Sequence, residues 1–188
     1  MDTGMIVLVV VGIILLIAII IVGWFISTRN KFIRMDQDVE NSMSRIDVYL
    51  TKRYDLLTKM LQTTKGYTKH EQETLAKVIE MRNPGKSASA KEKMEFNNQM
   101  DQVSRDLNIT VEQYPQLKAD KMFHNLQEAI SEVEENLQAA RSNYNANVAQ
   151  FNKAILVFPA SIVAGNKYTK KEYFEAEEIK KQDVNMEF

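Results

Sequence analysis

The stretch Met5–Ile26 reads MIVLVVVGIILLIAIIIVGWFI and contains no charged side chain. A helix of this length rises about 33 Å at ~1.5 Å per residue, which is close to the ~30 Å hydrocarbon core of a bilayer. In lipid, a single segment can satisfy its backbone hydrogen bonds only as a helix, and a buried core helix would be expected to keep a polar stripe. We therefore predict that residues 1–28 are a transmembrane anchor, with Met5, Leu15 and Ile26 in its span.

The flanks of the span predict a retained, single-pass anchor. A cleaved signal peptide has a basic segment before its apolar run and a small-residue cleavage site after it. No Lys or Arg precedes the span, and Trp24–Thr28 offers no such site. Arg29, Lys31 and Arg34 follow the span closely. By the positive-inside rule, we expect the N-terminus outside the cell membrane and the C-terminal domain in the cytoplasm.

The composition indicates that residues 29–188 form one helical domain. The 188 residues include only 3 Pro and 6 Gly, while Ala, Leu, Glu, Lys and Gln, which favour helices, are plentiful. The net charge is −1, so no basic face for nucleic acid is indicated. The absence of Cys excludes a disulfide framework and a lipoprotein anchor.

The first long helix of this domain is predicted between Arg29 and Arg82, a region with no Pro and one Gly. A kink is expected where this helix leaves the anchor, at Ser27–Thr28 or at Asn30. Apolar residues three and four apart give the helix one buried stripe. The stripe consists of Val39, Met43, Ile46, Leu50, Tyr54, Leu57 and Leu61.

The second helix is predicted to begin at Ser87 or Ser89, because Ser89 followed by Glu92 fits a capping box. We expect it to end at Gln113, since Pro115 disfavours the α conformation of the residue before it.

The third helix carries a heptad-like, coiled-coil seam that Pro159 closes, and a short amphipathic helix is predicted for residues 171–181. The predicted fold is therefore all-α: an N-terminal transmembrane helix followed by an antiparallel bundle of three long helices plus a short C-terminal helix. The seam consists of Phe123, Leu126, Ile130, Val133, Leu137, Ala140, Tyr144, Val148, Phe151, Ile155 and Phe158.

Polar residues beside this seam are candidates for fixing helix register or for recognising a partner. Asn145 and Asn152 are seven residues apart and share a heptad position, and Arg141 lies beside the same stripe. Asn is unfavourable inside a helix, so we expect these residues to pair with Asp47 or Arg53 across the bundle. Five tyrosines are expected at core edges with a solvated hydroxyl: Tyr49, Tyr54, Tyr67, Tyr114 and Tyr144.

Several different short blocks of sequence follow one another through nearly the whole chain. They are Ile46-Asp47-Val48 with Leu50, Lys52-Arg53-Tyr54-Asp55-Leu56, Lys65-Gly66-Tyr67 with His70-Glu71, Tyr114-Pro115-Gln116-Leu117-Lys118-Ala119, Phe123 with Leu126-Gln127-Glu128, Ala140-Arg141 with Tyr144-Asn145, Phe151-Asn152, Phe158-Pro159 and Tyr173-Phe174-Glu175-Ala176. This ordered set closely resembles the LemA family. The resemblance implies a bacterial, membrane-anchored helical bundle with no established enzymatic activity. One block departs from the family pattern, because Thr58-Lys59-Met60 stands where the family usually has Pro-Asn-Leu.

The residue patterns do not favour a metal or catalytic site. His70-Glu71 begins like the zinc motif H-E-x-x-H, but Thr74 occupies the place of the second His. The Glu-x-x-His pattern of di-iron bundles also fails, since Tyr67 and Lys121 stand three residues before the two His residues. His70 and Glu73 share one helical face and could hold a metal loosely, but solvated polar side chains are the simpler interpretation, since two ligands are fewer than the usual three or four. We therefore expect no enzyme, no cofactor and no bound metal.

Two classes of function stay open. The first is a membrane-anchored scaffold or adaptor that contacts the bilayer and either a protein partner or another copy of itself. The alternative is a metal-dependent or hydrolytic enzyme with its site in the bundle core. Asp47, Arg53 and Asp55 would suit acid–base chemistry there, although ion pairs explain them more simply. A cavity lined by ionisable groups would favour the enzyme, and a filled seam with exposed apolar strips would favour the scaffold.

Overall fold

The structure is a computed structural model and describes residues 3–64, 81, 84–85 and 87–174. These residues form five α-helices and no strand, so the all-α class is confirmed for the part of the chain that is described. The helices are α1 (Thr3–Thr63), α2 (Ala90–Gln113), α3 (Pro115–Lys118), α4 (Lys121–Leu156) and α5 (Ala160–Ala164).

Helix α1 joins the apolar stretch directly to the polar part of the chain. It passes through Ser27–Thr28 and Asn30 without interruption, so the predicted kink does not break the helix. It ends at Thr63, and the prediction that one helix continues to Arg82 is wrong at this point. The Thr63 and Thr64 hydroxyls donate to main-chain carbonyls three residues earlier, at 2.6 and 2.7 Å. Such hydroxyls compete with the helical backbone pattern.

The apolar stretch of α1 is long enough to cross a membrane and is apolar enough to do so. None of its described side chains is buried: Met5, Leu15 and Ile26 are 50%, 60% and 54% exposed. A core helix of a soluble domain would bury such residues. The interpretation as a buried core helix therefore does not fit the observed exposure.

The N-terminus of α2 has the predicted capping box. The Glu92 main-chain N–H donates to the Ser89 hydroxyl at 3.2 Å, and the Glu92 carboxylate accepts from the Ser89 main-chain N–H at 2.8 Å. The hydrogen bond from the Ser89 backbone, followed by the one from its hydroxyl, lowers the pKa of Glu92. The helix ends at Gln113, as predicted, with Tyr114 as its C-cap.

The seam of α4 is buried over most of its length, as the heptad pattern predicts. Two members are not buried: Leu126 is half-buried, and Phe158 is 77% exposed. Helix α4 ends at Leu156, so Phe158 no longer follows the helical period and the prediction that it belongs to the seam is wrong. The buried members are Phe123, Ile130, Val133, Leu137, Ala140, Tyr144, Val148, Phe151 and Ile155.

The chain divides into two compact units. The first comprises Met1–Glu40 and Asn147–Lys171, and the second comprises Asn41–Ala146 and Glu172–Phe188. In the second unit, Asp47 and Arg53 of α1 contact Lys93 and Asp101 of α2, so these two helices run in the same direction. The later part of α1 packs near the earlier part of α4, so α4 runs antiparallel to α1.

Between α5 and Phe174, the last described residue, the chain is not helical. Gly165 has a φ of 49°, a backbone conformation that favours glycine, and it ends α5. Residues 168–174 form no helix, so the predicted amphipathic helix does not begin at Lys171. The remainder of that prediction lies outside the described residues.

Candidate functional site

Arg53 is the centre of a polar cluster that joins three helices. Its side chain on α1 is 3% exposed. One terminal nitrogen, Nη1, donates to Asn97 Oδ1 at 2.8 Å and to Asp101 Oδ1 at 2.7 Å, both on α2. The other, Nη2, donates to the Glu134 carboxylate on α4. One guanidinium therefore holds α1, α2 and α4 in a single arrangement.

Arg141 completes the charge balance of this cluster. Burial lowers the pKa of its guanidinium; the Asp101 and Glu134 carboxylates oppose that shift, and Arg53 adds to it. Its guanidinium carbon lies 5.0 Å from the centre of the Phe174 ring, a distance typical of a cation–π contact. Two arginines thus face two carboxylates, an arrangement in which each buried charge has an opposite charge nearby.

A second ion pair links α1 to α2 in the same unit. Lys93 is buried, and its Nζ lies 2.7 Å from Asp47 Oδ1 and 2.9 Å from Asp47 Oδ2. The Lys93 side chain is 1% exposed and that of Asp47 is 20% exposed. Because a buried ammonium is costly without a counter-charge, Asp47 has a structural role here.

Asn145 and Asn152 of α4 each hold the main chain of one residue near the end of the described chain. In the second unit, Asn145 Nδ2 donates to Phe174 O at 3.0 Å, and the Phe174 N–H donates to Asn145 Oδ1 at 2.8 Å. In the first unit, Asn152 does the same to Lys171, at 2.9 and 2.8 Å. The expected pairing of these asparagines with Asp47 or Arg53 is therefore wrong.

Tyr144 of α4 also holds the main chain of this segment in the second unit. The Tyr144 hydroxyl donates to the carbonyl of Glu172, which lies between Lys171 and Phe174 in the sequence, at 2.8 Å. Burial, and to a smaller degree the Glu172 carboxylate, raise the pKa of Tyr144, so the neutral, donating hydroxyl is favoured.

The remaining predicted site residues do not join these groups. Tyr54 is half-buried, with its ring centre 5.9 Å from that of Phe96. Asp55 is exposed on α1, and Tyr114 is half-buried at the end of α2. The predictions for His70 and Glu71 lie outside the described residues.

The second unit contains a small cleft beside the Arg53 cluster. Its volume is about 110 Å³, and nine residues from α1, α2 and α4 line it, of which Glu134 alone is ionisable. Pockets for small molecules usually measure about 300–1,000 Å³. Within the described ranges, no three His, Cys, Asp or Glu side chains lie together as a metal site would require.

Sequence comparison identifies the family of the chain. The model of the LemA family matches residues 42–188. The chain belongs to the LemA family. It is also similar to Protein LemA of Metamycoplasma hominis, with 30% identity over 164 residues that cover 86% of this chain and 75% of that protein. The LemA match includes the Arg53 cluster and both asparagines, so the sequence resemblance is confirmed.

Sequence reasoning missed four partners in this LemA fold, namely Lys93, Asn97, Asp101 and Glu134. A signal for two of them was present. Lys93 and Asn97 stand three or four residues from buried apolar positions of α2, so they interrupt its stripe with polar side chains. Nothing in the pattern of α4 distinguishes Glu134 from its exposed acidic neighbours.

Arg53→Met is predicted to destabilise this LemA protein by about 3 kcal/mol, because Asp101 and Glu134 lose their counter-charge. This value is at the lower end of the range for breaking a buried ion pair, because the Glu134 side chain is 42% exposed and can be hydrated once Arg53 is removed. The measurement is urea denaturation of the whole chain in detergent, with unfolding monitored by circular dichroism. Lys52→Met, at the exposed neighbouring position, is the matched control and should change stability by less than about 0.5 kcal/mol. Equal losses in the two variants would contradict the structural role of Arg53.

Asn145→Ala is predicted to speed hydrogen exchange at the Phe174 amide by at least about tenfold, since two hydrogen bonds worth about 1 kcal/mol each are lost. The Lys171 amide, which Asn152 holds, should change less. Asn143→Ala replaces an exposed asparagine on the same helix and is the control. Unchanged exchange at Phe174 would show that Asn145 does not hold this segment in solution.

Proposed function

We propose that this LemA family protein is a membrane-anchored helical scaffold or adaptor that acts through contacts with a partner protein or with another copy of itself. The observation that carries the proposal is the composition of α1. This one helix contains the exposed apolar residues 5–26 and also Asp47 and Arg53, which bind the other helices of the bundle. The anchor and the core of the bundle therefore belong to one element.

The proposed location is the cell membrane, crossed once, with the N-terminus outside and residues 29–188 in the cytoplasm. The support is the position of Arg29, Lys31 and Arg34 directly after the span. Protease added to intact cells should then leave the bundle undigested and should degrade it once the cells are opened. Digestion of the bundle in intact cells would reverse the orientation.

The interior of the bundle supports a non-enzymatic role. Asp101 and Glu134 are occupied by Arg53, and Asp47 by Lys93. These carboxylates neutralise buried cations, so protonating or removing them costs stability. Neither the family description nor the name of the relative assigns an activity.

The surface proposed for contacts is the outer face of α1 in the second unit. Val48, Lys52 and Asp55 are four and three residues apart, so they share one face of the helix, and all three are exposed. The Val48 side chain is 53% exposed. An anchor confines every copy to one plane and raises the local concentration of such faces, so weak contacts suffice for assembly.

Charge-reversal variants distinguish residues of the proposed contact surface from residues of the core. Asp55→Lys should reduce the complex captured by crosslinking in native membranes by at least about fivefold, because a like-charge contact replaces an attractive one, while the urea midpoint stays unchanged. Glu135→Lys, at an exposed position of α4, should leave the complex intact. Arg53→Glu, in contrast, should lower stability, because its side chain is buried.

The size of the particle provides the decisive readout. Light scattering in detergent is measured for the whole chain and for residues 30–188. If both are monomeric and crosslinking captures no partner in the native membrane, the scaffold proposal fails and the enzymatic alternative is favoured.

A further inference from the structure

The turn between α4 and α5 exposes a cluster of large hydrophobic side chains. Outside residues 5–26, the described chain has nine large hydrophobic side chains that are exposed, and four of them lie within residues 156–162. They are Leu156, Val157, Phe158 and Ile162, at 59%, 50%, 77% and 66%. Single exposed apolar residues are ordinary, whereas a cluster of this kind indicates a surface that another phase or molecule covers.

The contacts within the first unit place this turn beside the end of the apolar span. Asn147 Nδ2 donates to the Asp38 carbonyl at 3.3 Å. Further along, the Tyr168 ring lies 5.3 Å from Phe32 and 6.1 Å from Phe151. The two helices are therefore antiparallel in this unit.

The helical rise and this register give the position of the turn along α1. Leu156 lies nine residues after Asn147, which is about 13.5 Å along α4. The same distance back along α1 from Asp38 reaches Arg29. Residues 157 and 158 follow Leu156 directly, so the turn lies near the level of Arg29, which is three residues after the end of the apolar span.

The charges around the turn are of one sign. Residues 147–171 contain no Asp or Glu, and neither do residues 27–35. Lys171 is paired with Asp36 at 2.7 Å. The other basic side chains of these two segments are exposed, a pattern that suits the anionic headgroups of a bilayer surface. They are Arg29, Lys31, Arg34, Lys153, Lys167 and Lys170.

We propose that residues 156–162 insert into the interfacial layer of the leaflet from which α1 emerges, and that the surrounding basic side chains bind anionic lipid headgroups. The first unit then contacts the membrane twice, once through the span of α1 and once through this turn. Interfacial apolar groups of this kind reach about 5–10 Å into the boundary between headgroups and acyl chains. The inference rests on the anchoring of α1 that the proposed function includes, and it does not depend on assembly.

The depth of the turn tests the inference directly. The chain contains no Cys, so Phe158→Cys gives one labelling site for an environment-sensitive nitrobenzoxadiazole dye. The whole chain is placed at one copy per nanodisc of phosphatidylcholine and phosphatidylglycerol, with and without lipid that carries a shallow doxyl quencher. The label should emit at shorter wavelength than in water, and the quencher should lower its intensity by at least about twofold. Val157→Cys, at a second exposed position of the turn, should behave alike.

Two control sites make the result specific. Gln150→Cys is exposed on α4 in the same unit and lies about 9 Å further from the bilayer by the helical rise, so it should remain unquenched. Ile20→Cys lies within the span and reports on the anchor itself. Quenching at position 20 without quenching at positions 157 and 158 would leave the anchor in place and overturn the inference. Absence of quenching at position 20 would overturn both.

Two further outcomes define what covers the turn. A blue-shifted label that the lipid quencher does not reach, in discs that hold one copy, would show that protein covers the turn and would overturn the inference. Quenching should also weaken when phosphatidylcholine replaces phosphatidylglycerol and when Lys167→Gln and Lys170→Gln are combined. Equal quenching in all three conditions would overturn the role of anionic headgroups.

Discussion

A guanidinium can hold several oxygen acceptors at once because its N–H groups lie in one plane and point in fixed directions. Arg53 uses this property to contact Asn97, Asp101 and Glu134 from a nearly solvent-free position. Each acceptor stands on a different turn or a different helix, so a slip of α1 by one residue would separate the guanidinium from all of them. The cluster therefore fixes the register of three helices, which an apolar seam alone would specify only loosely.

The same principle of register applies to the segment that follows α5. A segment without secondary structure that packs on a helix leaves its main-chain N–H and C=O groups without the partners that a helix or sheet would provide. Asn145 and Asn152 offer a carboxamide, which has one donor side and one acceptor side, to one residue each. Their hydrogen bonds go to the main chain of this segment, so their shared heptad position does not reflect pairing between helices.

The sequence predicted the elements better than their partners. The periods of three and four residues located the seam of α4, and Ser89 with Glu92 located the start of α2, because these signals arise from contacts within one element. Arg53 and Asn145 are candidate site residues from the sequence, but their partners lie 44 and 29 residues away along the chain, and no local pattern encodes such a distance. Phe158 was assigned to the seam because the period continues to it, whereas the helix ends two residues earlier.

The way in which Asn145 and Asn152 hold Lys171 and Phe174 has a consequence for how this region tolerates change over time. Both asparagines contact only main-chain atoms, which every residue except proline presents in the same form. The identities of the side chains at 171 and 174 therefore do not enter these four hydrogen bonds. Lineages of this protein that replace those side chains therefore keep these four hydrogen bonds, unless proline enters, but they lose the Lys171–Asp36 ion pair or the buried contact of Phe174 with Arg141.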